Sequence, residues 1–354
     1  MSEILVGTKK GLFILAGDGR DGFGISSRSF AGEPVEDAMR DRRTGRTFAA
    51  AGSPFYGPKL WWTHDPGGEW TQARGVELPE GDTALARIWV IVEGEEDGLL
   101  YVGGDPAVLF ESRDGGETWA LSEGLWNDPT RATWQPGGGG LCLHTIVPWP
   151  GDPNRLSIGI SAVGVMHTDD GGSTWRHSIT GIVLRYLAED QRDLEHQHCV
   201  HCIARSPSRP ERLFLQFHGG VYRSDDAGES WIDIAAGLPS DFGFPIAIDP
   251  AVPDCAYVIP LAADVDRVTP GGAVRVYETR DAGATWTPRG EGLPVSDSYL
   301  TILREAFTSG GESDTLELYF GATSGEVFGS ADAGRTWFSA ATRLPPVYSV
   351  RLGG

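Results

Sequence analysis

Short runs in which apolar and polar residues alternate recur along the whole chain, bounded by Gly, Pro, Asp and Ser, while helical periodicity is nearly absent. Such runs read as strands with one buried face. They fall into groups of four. In the clearest group HCVHCIARSP is a first, inner strand, RLFLQFHG the second, GVYRSDD the third, and SWIDIAAGLP the fourth, outer one. Equivalent groups begin near Arg87, His144, Phe244 and Leu300, and a shorter one near Val35. At the start of the chain EILVGT, GLFILAGD and GISSRSF supply three strands, and at its end PVYSVRLGG supplies one without a partner. Joining these four completes a further group and leaves no strand edge open to solvent.

The groups are punctuated by an octapeptide, Ser/Thr-x-Asp-x-Gly-x-x-Trp, which occurs six times: THDPGGEW, SRDGGETW, TDDGGSTW, SDDAGESW, TRDAGATW and SADAGRTW. Its tryptophans (Trp70, Trp119, Trp175, Trp231, Trp286 and Trp337) are spaced 49, 56, 56, 55 and 51 residues apart, a near-constant period that marks a repeat architecture. The octapeptide is a hairpin turn in physical terms. Asp and Ser/Thr side chains bond to nearby amides, Gly takes a positive φ, and Trp packs beneath. Asp65, Asp114, Asp170, Asp226, Asp281 and Asp332 are therefore structural, and are not candidates for catalytic acids.

These six boxes resemble the BNR or Asp-box repeat of sialidases, sortilin-type ectodomains and photosystem-assembly propellers, and the whole chain resembles the bacterial branch labelled glycosyl hydrolase or BNR-like repeat protein. Together with the strand groups, the resemblance implies an all-β, seven-bladed β-propeller with six Asp boxes, its first blade closed by the C-terminal strand. A chain of 354 residues outgrows one ordinary core, and repetition accounts for that length as a single domain over residues 1–354. In detail the sialidase pattern is missing. No Phe/Tyr-Arg-Ile-Pro segment lies near the N-terminus and no Tyr-Glu nucleophile pair is identifiable, so sialidase activity is not expected.

A formal charge of −20 opposes phosphate backbones and anionic lipid, which argues against nucleic-acid or membrane-surface partners. The first residues, MSEILVGTKKGLFIL, have no signal-peptide pattern, and no apolar run is long enough to span a bilayer, so a cytoplasmic protein is expected. Four cysteines, Cys142, Cys199, Cys202 and Cys255, are too few and too clustered for a disulfide framework and read as free thiols or as thiols near a ligand site.

Candidate chemistry gathers where inner strands begin. LCLHTI and HCVHCI align one repeat apart, so Cys142 and His144 recur as Cys199 and His201, each pair on one strand face. His201 and His218 flank a hairpin and are expected to be cross-strand neighbours. His144, His201 and His218 are thus the candidate ligands of a divalent metal, zinc or another transition metal; the structural alternative is that they are hydrogen-bonded core residues. Two long connections, Ala120 to Gly140 and Arg176 to His198, are expected on the same face, the second bringing Glu195, His196 and His198. The excursion IPLAADVDRVTPGGAV brings Asp264, Asp266 and Arg267. Glu195, His198 and Asp264 are the candidate proton-transfer groups. Arg87, Arg267 and Arg304 are candidate substrate-binding residues, with Arg351 also placed to face the tunnel. Three functions follow: a metal-dependent small-molecule enzyme, such as a hydrolase or lyase, or binding protein; a carboxylate-based glycosidase without metal, acting on a glycan; or a non-catalytic scaffold for a partner protein.

Overall fold

The computed structural model describes residues 2–353 apart from 20, 21, 54, 82, 193–196 and 312–314. Its strands form seven four-stranded antiparallel sheets, each a blade. The inner strands, in order around the ring, are Val347–Leu352, Val35–Arg40, Arg87–Glu93, Cys142–Trp149, Val200–Arg205, Gly243–Ile248 and Phe307–Gly310. Successive inner strands pack side by side, and the last meets the first. The molecule is therefore a closed seven-bladed β-propeller. Blade I is closed as expected, by Val347–Leu352 lying antiparallel to Ser2–Thr8, with Ile4 opposite Leu352 and Val6 opposite Val350. Among the described residues the α-helix content is one four-residue turn, Glu123–Trp126, and no helix is long and apolar enough to cross a membrane.

Apolar layers fill the boundaries between neighbouring blades, so the core is a ring of clusters. Ile4, Tyr257, Tyr319, Phe320 and Val350 belong to the largest, which joins blades VI, VII and I.

The octapeptides form the turns between third and fourth strands. In the second of them the Asp114 carboxylate accepts hydrogen bonds from the amides of Glu117 and Thr118 at 3.0 Å, and the Gly116 amide bonds to Ser112 Oγ at 2.9 Å. The fourth residue of the turn sits at positive φ, as Gly115 and Gly171 or, at some steric cost, as Ala227, Ala282 and Ala333. The first octapeptide cannot copy this. Pro66 fixes φ near −65° at that position, and Glu69 replaces the Ser/Thr whose hydroxyl elsewhere donates to the Asp. Among the described residues the Asp65 carboxylate consequently holds only the Gly67 amide, and buried Trp70 Nε1 has no hydrogen-bond partner.

These turns also tie blades together. The amides of Trp119, Trp231 and Trp337 donate to Arg74, Thr180 and Glu291, residues that follow the preceding blade's outer strand. The hydroxyl and amide of Thr174 and the hydroxyl of Thr168 hold the Asp170 carboxyl down to about 2. Because that folded value is below the ordinary 3.8, its stabilisation is present above pH ~4 and is lost as pH falls toward ~2. Replacing Asp114 by Ala should cost about 1–3 kcal/mol of stability in denaturant unfolding, since two turn amides lose their acceptor.

One expectation about strand placement is corrected. The inner strand of blade VII begins at Phe307, not near Leu300. Residues 300–306 run beside the closing strand without joining the blade's sheet: Glu305 makes a parallel bridge to Ser349, and its carbonyl accepts the Val350 amide at 2.9 Å. This irregular segment places Arg304 and Glu305 at the centre of the ring.

Candidate functional site

Strand direction sorts the loops. The octapeptide turns open on one face; the turns from second to third strand and the connections between blades open on the other, where inner strands begin.

At that mouth the inner strands share a device that periodicity does not reveal. Val35 and Asp37 pair with the consecutive residues Ala51 and Ala50, leaving Glu36 as an extra, bulged residue. The same two-against-one pairing leaves Trp89, His144, His201 and Tyr348 extra in blades III, IV, V and I. In blade VI, Phe244 and Pro245 face the single residue Ile259. A bulge interrupts the alternation of side chains and re-aims one of them. Repeated around the ring, it makes the tunnel mouth a collar of bulged residues.

In blade V the collar meets a metal-binding type of residue set. One ligand atom each from Cys199, His201 and His218 lies within 4.8 Å of the others. His201 is bulged and so is not a register partner of His218, but the two rings stand edge to face with centroids 5.3 Å apart. His218 is held by its amide, which donates to the Cys199 carbonyl at 3.1 Å, and by the Tyr186 ring, 4.6 Å away. Tyr186 comes from the long connection before blade V, which therefore lies against the site. His201 is buried, and its Nδ1 donates to the Gly243 carbonyl, which fixes the tautomer and leaves the Nε2 lone pair for a ligand. Burial, reinforced by Arg304, holds the His201 imidazole neutral, well below its ordinary range. Burial also lowers His218, while Asp264, with Oδ2 3.5 Å from Nε2, pulls it back. Burial raises the Cys199 thiol, and the Arg304 charge and then the Ser161 hydroxyl partly oppose that.

His144 does not belong to this set, contrary to the expectation from the repeat. Its Nε2 is 3.0 Å from the Val200 carbonyl and its Nδ1 3.0 Å from Thr145 Oγ1, so the ring is spent stitching blade IV to blade V. The place expected for His144 is taken by Cys199. The Cys-x-His spacing already put Cys199 and His201 on one strand face, and that was the signal for it.

The remaining candidates divide. Asp264 reaches His218, as above. His198 is buried against the Phe217 ring, 6.2 Å between centroids, outside the three-residue set. Glu195 and His196 lie outside the described residues. Arg267 extends from the same excursion as Asp264, its guanidinium 5.5 Å from the Phe244 ring. Arg87 stacks on Trp89 at 4.5 Å and faces Glu36 at 3.5 Å. Arg304 lies between Trp89 and Phe244, 5.9 and 4.9 Å from their ring centres. Arg351 points inward but is consumed: it donates to both oxygens of Asp37, at 3.0 and 3.1 Å, and to Glu305.

Beside the metal-type set is a cavity of about 220 Å³ lined by Glu36, Arg87, Trp89, Leu303, Arg304, Glu305 and Tyr348. Three of these are collar residues, and only Arg87 and Arg304 among them were legible as candidates. Burial raises Glu36, with Arg87 opposing, and raises Glu305 to about 7 against the pull of Arg351.

Fold and site together define a seven-bladed propeller with polar chemistry concentrated at one tunnel mouth. No family model and no curated protein sequence matches the chain. Solved structures do share the fold: an ancestral GH74 enzyme (TM-score 0.55, 16% identity, covering 90% of this chain and 38% of that one), the Niastella koreensis GH74 enzyme (0.53, 14%, 97% and 66%), and YCF48 from Cyanidioschyzon merolae (0.53, 12%, 87% and 84%). The chain spans less than two thirds of the length of either GH74 enzyme. At these identities the likeness is one of architecture.

Proposed function

We propose that the tunnel mouth is a transition-metal site held by Cys199, His201 and His218, serving a small-molecule enzyme or binding protein. The observation that carries this reading is the convergence of their three ligand atoms within 4.8 Å. A tetrahedral zinc with bonds of 2.0–2.3 Å spaces its ligands about 3.3–3.6 Å apart, so an ion draws the three inward by roughly 1 Å. Two imidazoles and one thiolate suit zinc, and leave a fourth position for water or substrate. A bound ion would supply Lewis acidity there. Asp264 orients His218 and is placed to move a proton, a role for which Glu195 and His198 are further candidates. All four cysteines are free thiols, which suits a reducing compartment such as the cytoplasm. The octapeptide turns support a place among BNR-type propellers.

Replacing Cys199 by Ser, or His201 or His218 by Ala, should cut bound metal by roughly tenfold or more, since three protein ligands leave little redundancy. Acid should release the ion, because protonated imidazole cannot ligate. His144→Ala is the discriminating control. It should keep its metal while losing stability; metal loss there with retention in Cys199→Ser would overturn the assignment.

A second reading rests on the 220 Å³ cavity, where two carboxyls, Glu36 and Glu305, meet the aromatic faces of Trp89 and Tyr348. A carboxyl raised to about 7 beside another carboxylate is the equipment of a glycosidase, the activity class of the GH74 neighbours. Metal-independent glycoside hydrolysis abolished by Glu305→Gln would favour it. The YCF48 likeness supports the scaffold reading through fold alone.

A further inference from the structure

Arg304 is the cavity arginine with no carboxylate in contact among the described residues, although the Glu305 charge reaches it at longer range. Arg87 faces Glu36, and Arg351 is satisfied by Asp37 and Glu305. Arg304 makes no hydrogen bond or ion pair with any described residue. Its Nε is buried with no acceptor, and its neighbours are the faces of Trp89 and Phe244. A guanidinium offers five N–H donors in a fixed fork, and leaving them unmatched away from water is costly. The ring faces attract the cation but accept no conventional hydrogen bond.

The fork matches a planar two-oxygen acceptor. Three guanidiniums, Arg87, Arg304 and Arg351, stand against three carboxyls, Glu36, Asp37 and Glu305, so an added anion gains from direct contact with the Arg304 fork and not from an excess of positive charge. Glu36 and Glu305 line the same cavity and repel added negative charge, which favours a monoanion over a phosphate dianion. The volume of about 220 Å³ falls below the ~300 Å³ at which ligand pockets usually begin, so the occupant is small. Trp89 and Tyr348 supply flat apolar walls for its body.

We infer that this cavity binds a small organic monocarboxylate, its carboxylate seated on the Arg304 guanidinium and its body against Trp89 and Tyr348. The inference is separate from the metal proposal, since none of the cavity's lining residues is a proposed ligand of the ion.

The test is calorimetric titration of the full-length protein, before and after chelator treatment, with benzoate, phenylacetate and lactate. Benzamide serves as the neutral isostere of benzoate, and inorganic phosphate as the competing anion. At least one monocarboxylate should bind saturably in both preparations, while benzamide and phosphate bind at least about tenfold more weakly, the worth of a charge-assisted pair. Arg304→Gln should weaken the carboxylate to the same extent without lowering the unfolding temperature, because it removes a guanidinium whose buried Nε has no hydrogen-bond acceptor among the described residues. Benzamide binding as well as benzoate, a response to phosphate alone, no response to any carboxylate, or undiminished binding by folded Arg304→Gln would overturn the inference. The wild-type comparison of benzoate with benzamide decides the matter even if the variant does not fold. Metal content, measured on the same samples, reports on the metal proposal independently.

Discussion

Removal of residues 346–354 should leave a chain that does not fold cooperatively. The lost segment is the inner strand of blade I, and its Val347 and Val350 are fully buried. Burying a valine contributes about 1.5–3 kcal/mol, so two approach the ~5–15 kcal/mol that stabilises a whole protein. Their loss is compounded by the ladder to Ser2–Thr8, whose inward edge would be bare. Arg351 also goes, leaving Asp37 and Glu305 as facing buried carboxylates. Circular dichroism and size-exclusion chromatography should show a broad, non-cooperative transition and self-association. A monomer melting cooperatively at the parent temperature would remove the basis for closure by this strand.

The second large effect is expected at Asp37. This fully buried carboxylate receives two bonds from Arg351 and one, at 3.0 Å, from the amide of Ile91 in the next blade. Burial alone would lower the Arg351 pKa; Asp37 and then Glu305 more than reverse that and hold its charge. Asp37→Ala should therefore cost about 3–5 kcal/mol in denaturant unfolding, much of it from the cation left behind. If so, Arg351→Met in the Asp37→Ala background should recover a substantial part of the loss. Strictly additive losses would show that the pair is not coupled.

The sequence makes the architecture legible because the six octapeptides and the alternating runs repeat at one period, and a repeat can be counted without coordinates. Even the irregular first octapeptide is readable, since Pro66 and Glu69 forbid the bonds its counterparts make. The mouth is less legible. Alternation assigns His144 and His201 equivalent roles, and both rings bond to a carbonyl of the next blade, yet Thr145 occupies the second nitrogen of His144 while His201 faces a cysteine and a histidine. What separates them is the nitrogen that crosses the blade boundary: His144 reaches Val200 with Nε2, whereas His201 reaches Gly243 with Nδ1 and keeps Nε2 for a ligand. The bulges at Glu36, Trp89 and Tyr348 are also invisible in a one-dimensional pattern, because a bulge is a mismatch between two strands. Arg304 is visible as a tunnel candidate, but its lack of a contacting carboxylate emerges only once Arg87 and Arg351 are seen with theirs.

The most direct measurement is the metal content and cobalt spectrum of protein purified without a metal-affinity tag. Elemental analysis should give about one zinc, or another transition ion, per chain, and replacement by Co(II) should produce the thiolate charge-transfer band expected of one cysteine ligand. That band should vanish in Cys199→Ser and persist in His144→Ala. Protein that carries under about a tenth of an equivalent of metal and shows no such band on adding Co(II) would contradict a site at Cys199, His201 and His218.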